Sequence, residues 1–296
     1  MSEIHRRRGA PVLGAGLVVA SALVFSLAGV LTKMITADAW TIVCWRGLLG
    51  GLLIAAYVAW LERAKPLRAR FRLDWRGWLL ASVGSLASLA FIFAFKLTYV
   101  ANVAVIYATA PFMAAALAWW IFRERLLART LLAALISFLG VVIVVAGGLG
   151  GGHLLGDAVA LLMTFGNALY MVLIRAFRDS PVVLAGGLSA LQLFAVSWLV
   201  VDPLAVSRDD ALLLTLFGLS FALAVVLWTE GTKLITAAES GLLGTAEIPF
   251  AILLAWLLLA ELPPPASALG GAIVLAAVFA HAGFDVARAR RARRPT

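Results

Sequence analysis

The chain has 296 residues, of which 64% are hydrophobic and 13% charged, with a mean hydropathy of +1.03. A water-soluble globule of that length could not cover itself with so few polar residues, so lipid is the solvent and a soluble enzyme or scaffold is excluded. The net charge of +9 would suit a nucleic-acid binder, but the cations fall in short loops between apolar runs, where they set topology and meet anionic headgroups, so membrane lipids are expected as partners and nucleic acid is not.

A bilayer core of about 30 Å needs about 20 apolar residues in helical form. Ten runs meet that test: 11–31, 39–61, 77–95, 97–122, 131–149, 158–174, 182–201, 211–229, 241–259 and 266–284. Only Lys96 separates the third from the fourth, and the turn between them is expected near 99–102. The basic start, with Arg6, Arg7 and Arg8, looks like a signal peptide. The run behind it is longer than a signal core and has no evident cleavage site, so it is read as a retained helix. A stretch of 287–296 forms a basic tail.

Positively charged loops resist translocation. With an even number of crossings, one side collects Arg6–Arg8, the six cations from Arg63 to Arg76, Arg123, Arg125, Arg129, Arg175, Arg178, Lys233 and the five from Arg288 to Arg294. The other side holds Lys33, Lys96 and Arg208, and Arg46 lies within a run. The expectation is an inner (plasma) membrane protein with both termini in the cytoplasm.

The chain also repeats itself. KLTYVANVAVIYATAPF at 96–112 aligns with KLITAAESGLLGTAEIPF at 233–250, matching Lys-Leu at the start and Pro-Phe at the end. Pro111 is followed by Glu124, and Pro249 by Glu261, at nearly the same spacing. Units of 11–149 and 154–286 therefore each hold five helices. Five is odd, so the second unit would sit upside down relative to the first, an arrangement found in secondary transporters with a midplane substrate site. The fold class expected is an all-α membrane protein, ten transmembrane helices as two inverted five-helix repeats.

At these residues the chain resembles the drug/metabolite transporter superfamily in its EamA-domain branch. The duplicated unit, Pro111 and Pro249, Glu124 and Glu261, and the glycines of each fifth helix (Gly140; Gly270, Gly271) carry the likeness. Within that branch the chain is similar to YddG-type exporters of aromatic and other amino acids. The resemblance implies an exporter of amino acids or related small metabolites working by alternating access. A drug cation, a nucleobase or a sugar-like metabolite remains open as cargo.

Charges at mid-membrane are costly and face a wet cavity or a partner. Glu247 lies two residues before Pro249 in the middle of the ninth run, where a proline removes a backbone hydrogen bond and can kink the helix; Pro111 is its counterpart as a hinge. The carboxyl could attract an ammonium or take up a proton, or sit neutral and hydrogen-bonded to a neighbouring helix. Arg46 could meet a substrate carboxylate, snorkel to headgroups, or pair with Asp38. Asn167 and Gln192 offer amides to a solute or to another helix. Ser82, Ser85 and Ser88 form a thin polar stripe that could line the path or simply allow close packing. Phe25, Phe91, Tyr107, Phe165 and Trp228 could wall an apolar pocket, though most aromatics in such a chain face lipid. Glu230 and Glu239, straddling Lys233, suggest a solvated ion-pair cluster.

No catalytic residue, metal site or cofactor is expected. His5, His153 and His281 are far apart, Cys44 is the single cysteine, and the glycine run from Gly147 to Gly152 lacks the lysine of a phosphate loop. An intramembrane lipid-modifying enzyme would need clustered acids or histidines at one interface, and arginines stand there instead. The topology is testable by labelling. In a cysteine-free background, a cysteine at Gly151 should react with an impermeant thiol reagent added to intact cells and one at Arg70 should not; the reverse pattern would invert the orientation.

Overall fold

A backbone N–H or C=O left without a partner in hydrocarbon costs roughly several kcal/mol, so apolar runs of this length close their bonds internally as helices. The computed structural model describes residues 2–66, 71–123, 128–148, 153–177 and 179–292, and among them it contains helices and no strand. The elements are α1 (Ser2–Met34), α2 (Ala39–Leu61), α3 (Trp75–Leu97), α4 (Val100–Tyr107), α5 (Ala110–Phe122) and α6 (Ala128–Gly148), followed by α7 (Leu154–Ala176), α8 (Val182–Trp198), α9 (Arg208–Thr232), α10 (Ala237–Gly244), α11 (Glu247–Leu259) and α12 (Pro265–Ala292). Nine spans among the described residues are long and apolar enough to cross a membrane, and α8, at 17 residues, is shorter. Residues Arg70, Glu124, Arg125, Gly151 and Arg178 lie outside the described residues.

Boundaries follow local chemistry. The Asp38 carboxylate accepts from the Trp40 and Thr41 amides at the start of α2, Asp74 accepts from the Gly77 amide at α3, and Ser207 from the Asp210 amide at α9. These bonds satisfy amides that the first helical turn leaves without partners. Burial alone would raise the Asp38 carboxyl, but the Thr41 hydroxyl and the two amides hold it below its ordinary value. Thr236 and Glu239 form a reciprocal capping box on α10. Glu239 thus serves that cap, while Lys233 pairs with Glu230 at 2.6 Å. Several hydroxyls inside the spans, including Thr32, Thr164 and Ser197, donate back to the carbonyl four residues earlier, which keeps them bonded away from water.

Three boundaries bear on the sequence reading. The turn after α3 falls at Thr98 and Tyr99, at the near edge of the expected 99–102. α12 runs unbroken to Ala292, so the basic stretch at 287–296 begins within this helix. Most consequentially, the fourth and ninth runs are each two helices rather than one kinked helix. α4 stops at Tyr107 and α10 at Gly244, four and five residues before Pro111 and Pro249 respectively. A proline has no N–H and its ring collides with the carbonyl four residues back, so the ladder fails before the proline rather than at it. Both breaks are bridged by tighter bonds to the third residue back: the Thr109 amide to Ile106, and the Ala246 amide to Leu243. Both half-helices also end alike, on left-handed residues, Arg123 (φ 55°) and Ala260 (φ 51°).

Packing is set by glycines. α2 crosses α8, α3 packs on α7, α6 on α12, and α1 on α9 and α11. Where α6 meets α12, a Cβ on Gly270 would lie 2.4 Å from the Gly140 carbonyl oxygen, and one on Gly140 would lie 2.7 Å from that of Gly270. No side chain fits there, so the backbones touch. Gly14 packs α1 against Leu234 and Ile235 just past α9, and Gly156 packs α7 against Leu97 and Thr98 just past α3. Around these crossings lie two buried apolar clusters. One spans α4, α6, α11 and α12 through Val103, Val144, Ala251 and Val274; the other joins Ile35, Ile42, Ile92, Leu214 and Phe217.

Polar and ring contacts also gather each end of the bundle. Lys33 pairs with Glu261 at 3.2 Å, and Glu261 in turn accepts the Val100 amide at 2.5 Å. Lys96 donates to the Ile35 and Ala37 carbonyls, and Asp210 accepts from Thr36 and Ala37. This is the Lys33 end; the opposite, Lys233 end holds the Tyr57–Glu230 hydrogen bond and the ring contact of Trp75 with Phe177. Gly270→Ala should lower stability by about 1–3 kcal/mol through overpacking, read as a lower thermal midpoint in detergent. Gly16→Ala, whose new methyl meets nothing within 4 Å, should leave the midpoint unchanged or raised. Equal midpoints for both would mean that α6 and α12 do not touch at this crossing.

Candidate functional site

A cavity of about 360 Å³ lies between α1, α2, α3, α7, α8 and α9, with the break before α11 at one side. It reaches from Arg46 and Phe91 to Ile174, Val182 and Thr229, so it extends toward the Lys233 end while the ion pair and cap of Glu261 occupy the other. Its volume is at the small end of ligand pockets, which run from roughly 300 to 1,000 Å³.

Arg46 is buried on α2, 8% exposed. Neighbouring Gly47 makes its position possible, since any Cβ there would strike the Ala190 carbonyl of α8 at 2.6 Å. The guanidinium donates to Ser88 Oγ at 2.6 Å and lies over the Phe221 ring at 4.0 Å, with Phe217 and Phe91 at 5.4 and 5.6 Å. Asp38 is engaged at the α2 cap, so the pairing of Arg46 with Asp38 does not form, and neither does a snorkelled rotamer. Among the described residues, Arg46 Nε has no hydrogen-bond partner. The result is a cation held by aromatic faces and one hydroxyl, with no carboxylate against it among the described residues.

Glu247 is the first residue of α11, where the amides of a helix start favour negative charge. It is therefore at a helix terminus, not in the middle of a kinked helix. No hydrogen bond or ion pair to its carboxyl forms among the described residues, and it lines the cavity beside Tyr107. Pro249 and Pro111 fall in the first turns of α11 and α5, where a missing N–H costs nothing.

Phe25, Ser88, Phe91, Tyr107, Asn167 and Trp228 also line the cavity. Asn167 spends one amide proton on the Met163 carbonyl of its own helix. Ser85 and Gln192 are not in the lining. The Ser85 hydroxyl lies 2.7 Å from Gln192 Oε1 and 3.0 Å from the Ser189 carbonyl, so the pair ties α3 to α8 instead of facing a solute. Phe165 is 46% exposed and borders an apolar crevice between α3 and α7 with Leu86, Leu162 and Trp40, which is a lipid-type surface. Tyr170, Ser189 and Phe221 line the cavity without having been singled out. Tyr170 is three residues after Asn167 and Phe221 seven before Trp228, so helical spacing from a candidate residue was the available signal.

The arrangement offers one fixed cation, one carboxyl and aromatic walls, with no cluster of three or more His, Cys, Asp or Glu that could hold a metal among the described residues. Residues 12–146 match the EamA-like transporter family. That stretch, a little under half of the chain, is similar to a family of membrane transporters. A crystal structure of a protein 20% identical in sequence superposes with a TM-score of 0.64 over 92% of this chain and 96% of its own, a likeness of fold alone. No curated protein matches the chain.

Access to the cavity can be measured directly. With Cys44 replaced by alanine, a cysteine at Gly186, where a Cβ meets nothing within 4 Å, should react with a small water-borne methanethiosulfonate. A cysteine at Phe165 should not, because it faces lipid. Protection at Gly186 would mean that the cavity is closed to water.

Proposed function

We propose that the protein is a secondary carrier that moves amino acids, chiefly aromatic and hydrophobic ones, out of the cell through this cavity by alternating access. The observation that carries the proposal is a buried arginine and a glutamate on the walls of one aromatic-lined cavity, the first with no carboxylate and the second with no hydrogen bond among the described residues. An α-amino acid brings a carboxylate for Arg46, an ammonium for Glu247 and an apolar side chain for Phe25, Phe91 and Trp228. Burying those opposite charges together offsets desolvation that neither wall residue could offset alone. A drug cation is disfavoured, since it would leave Arg46 repelling it.

The carrier is built, on this reading, from two inverted five-helix repeats. The matched breaks before Pro111 and Pro249, the matched left-handed ends at Arg123 and Ala260, and the paired contacts of Gly14 and Gly156 support it. The last of these join the start of each unit's first helix to the end of the other unit's third. The excess of lysine and arginine supports a cytoplasmic Lys233 end. A cavity that reaches that end is then poised to load from inside, with the Lys33–Glu261 pair sealing the far side. YddG-type exporters are the subgroup this cargo would suit.

Reconstituted vesicles and a panel of amino acids test the proposal. Glu247→Gln keeps shape and removes charge; it should raise the half-saturation concentration for phenylalanine about tenfold, equivalent to about 1.4 kcal/mol. Arg46→Leu should weaken zwitterions more than their decarboxylated amines. Unchanged kinetics in Glu247→Gln, with normal expression, would contradict the binding role.

A further inference from the structure

Outside the cavity, at the Lys33 end, one carboxyl is buried with only one of its oxygens bonded. Asp157, in the first turns of α7, has no exposed surface. Its Oδ1 accepts from the Thr98 hydroxyl at 2.7 Å and from the Asn102 amide at 3.0 Å. Asn102 in turn accepts the Ser267 hydroxyl, so the α3–α4 turn, α7 and α12 meet on this one side chain. All three neighbours are themselves buried. Asp157 Oδ2 has no hydrogen-bond partner among the described residues.

The ionisable groups nearby are engaged elsewhere. Lys33 binds Glu261, which caps Val100; Lys96 binds the Ile35 and Ala37 carbonyls; His153 contacts the Leu97 carbonyl and stacks near Tyr99. No cation reaches Asp157 among the described residues. Two donors and the start of α7 favour charge on the Oδ1 side, but Oδ2 meets no donor among the described residues, and a carboxylate with one oxygen left dry stays costly unless a cation completes it. A metal ion would need several free oxygen ligands, whereas the Thr98 hydroxyl and Asn102 carbonyl are already committed. A proton needs only Oδ2.

We infer that Asp157 is an exchangeable proton site, separate from the substrate cavity, whose occupancy holds the Lys33 end closed. When that end parts, water reaches Oδ2, the O–H bond breaks, and the proton leaves to the entering water. The carboxylate that remains is hydrated and no longer compatible with the dry cluster, so closing requires a proton to return from the same side. A carrier that opens to this side would then exchange a proton on each opening.

The test reads the end of the bundle rather than transport, so it stands or fails independently of the cargo. In a Cys44→Ala background, a cysteine at buried Ala101 is labelled with an impermeant maleimide, its rate divided by that of a cysteine at Leu199, which is 86% exposed. The normalised rate should rise several-fold from acid to alkaline pH. In Asp157→Asn, which keeps the shape of the protonated acid, it should stay at the low acid value throughout. Thr98→Ala, which leaves the carboxyl intact, should retain a pH response. A response in Asp157→Asn equal to that of the parent, or none in the parent, overturns the inference. So does a rate that follows sodium against choline at fixed pH, which would assign the site to a metal cation.

Discussion

Every polar group that lies away from water in this chain must find its partner within the bundle, and the structure can be understood as the ways it does so. Helices close the backbone, hydroxyls such as Thr32 and Ser197 turn back on their own carbonyls, and Lys96 and Asp210 lock onto the turn at 35–37. Against that background three groups stand out. Among the described residues, Arg46 meets aromatic faces and one serine, Glu247 meets no donor, and Asp157 leaves an oxygen unpaired. Buried groups of this kind persist in membranes when something else completes them, and here two face a cavity and one a closed seam.

The geometry that brings these groups together depends on close backbone contact. Gly47 lets α8 approach α2 beside Arg46, and Gly156 lets α7 reach the turn that bonds Asp157. The breaks before Pro111 and Pro249 supply the other ingredient. By ending α10 at Gly244, the second break makes Glu247 the first residue of a new helix, at the positive end of its dipole. A continuous helix through that point would put the same carboxyl on an ordinary turn, where its charge gains nothing from the backbone.

Most of the helix positions were legible in the sequence, because a run of apolar residues in lipid has one stable form. What stayed hidden concerned partners and faces. A proline marks a break only approximately, since it acts on the turn before it. Phe165 and Asn167, two residues apart on α7, are about 200° apart around a helix, so both could not line one cavity; periodicity held that signal. Ser85 and Gln192 were recognisably polar, but nothing in either segment says that they answer each other across α3 and α8. Asp157 stood at the edge of an apolar run, where an acid ordinarily meets water. Its burial comes from Thr98 and Asn102, more than fifty residues away.

The central claim is that Arg46 and Glu247 hold the two ends of one zwitterion. A structure of the purified protein determined with phenylalanine bound tests it most directly. The account predicts ligand density in the cavity with its carboxylate within hydrogen-bonding distance of Arg46, its ammonium at Glu247 and its ring against Phe25, Phe91 or Trp228. Phenylalanine bound elsewhere, or a cavity occupied by a lipid chain with Arg46 still on Ser88 alone, would contradict it.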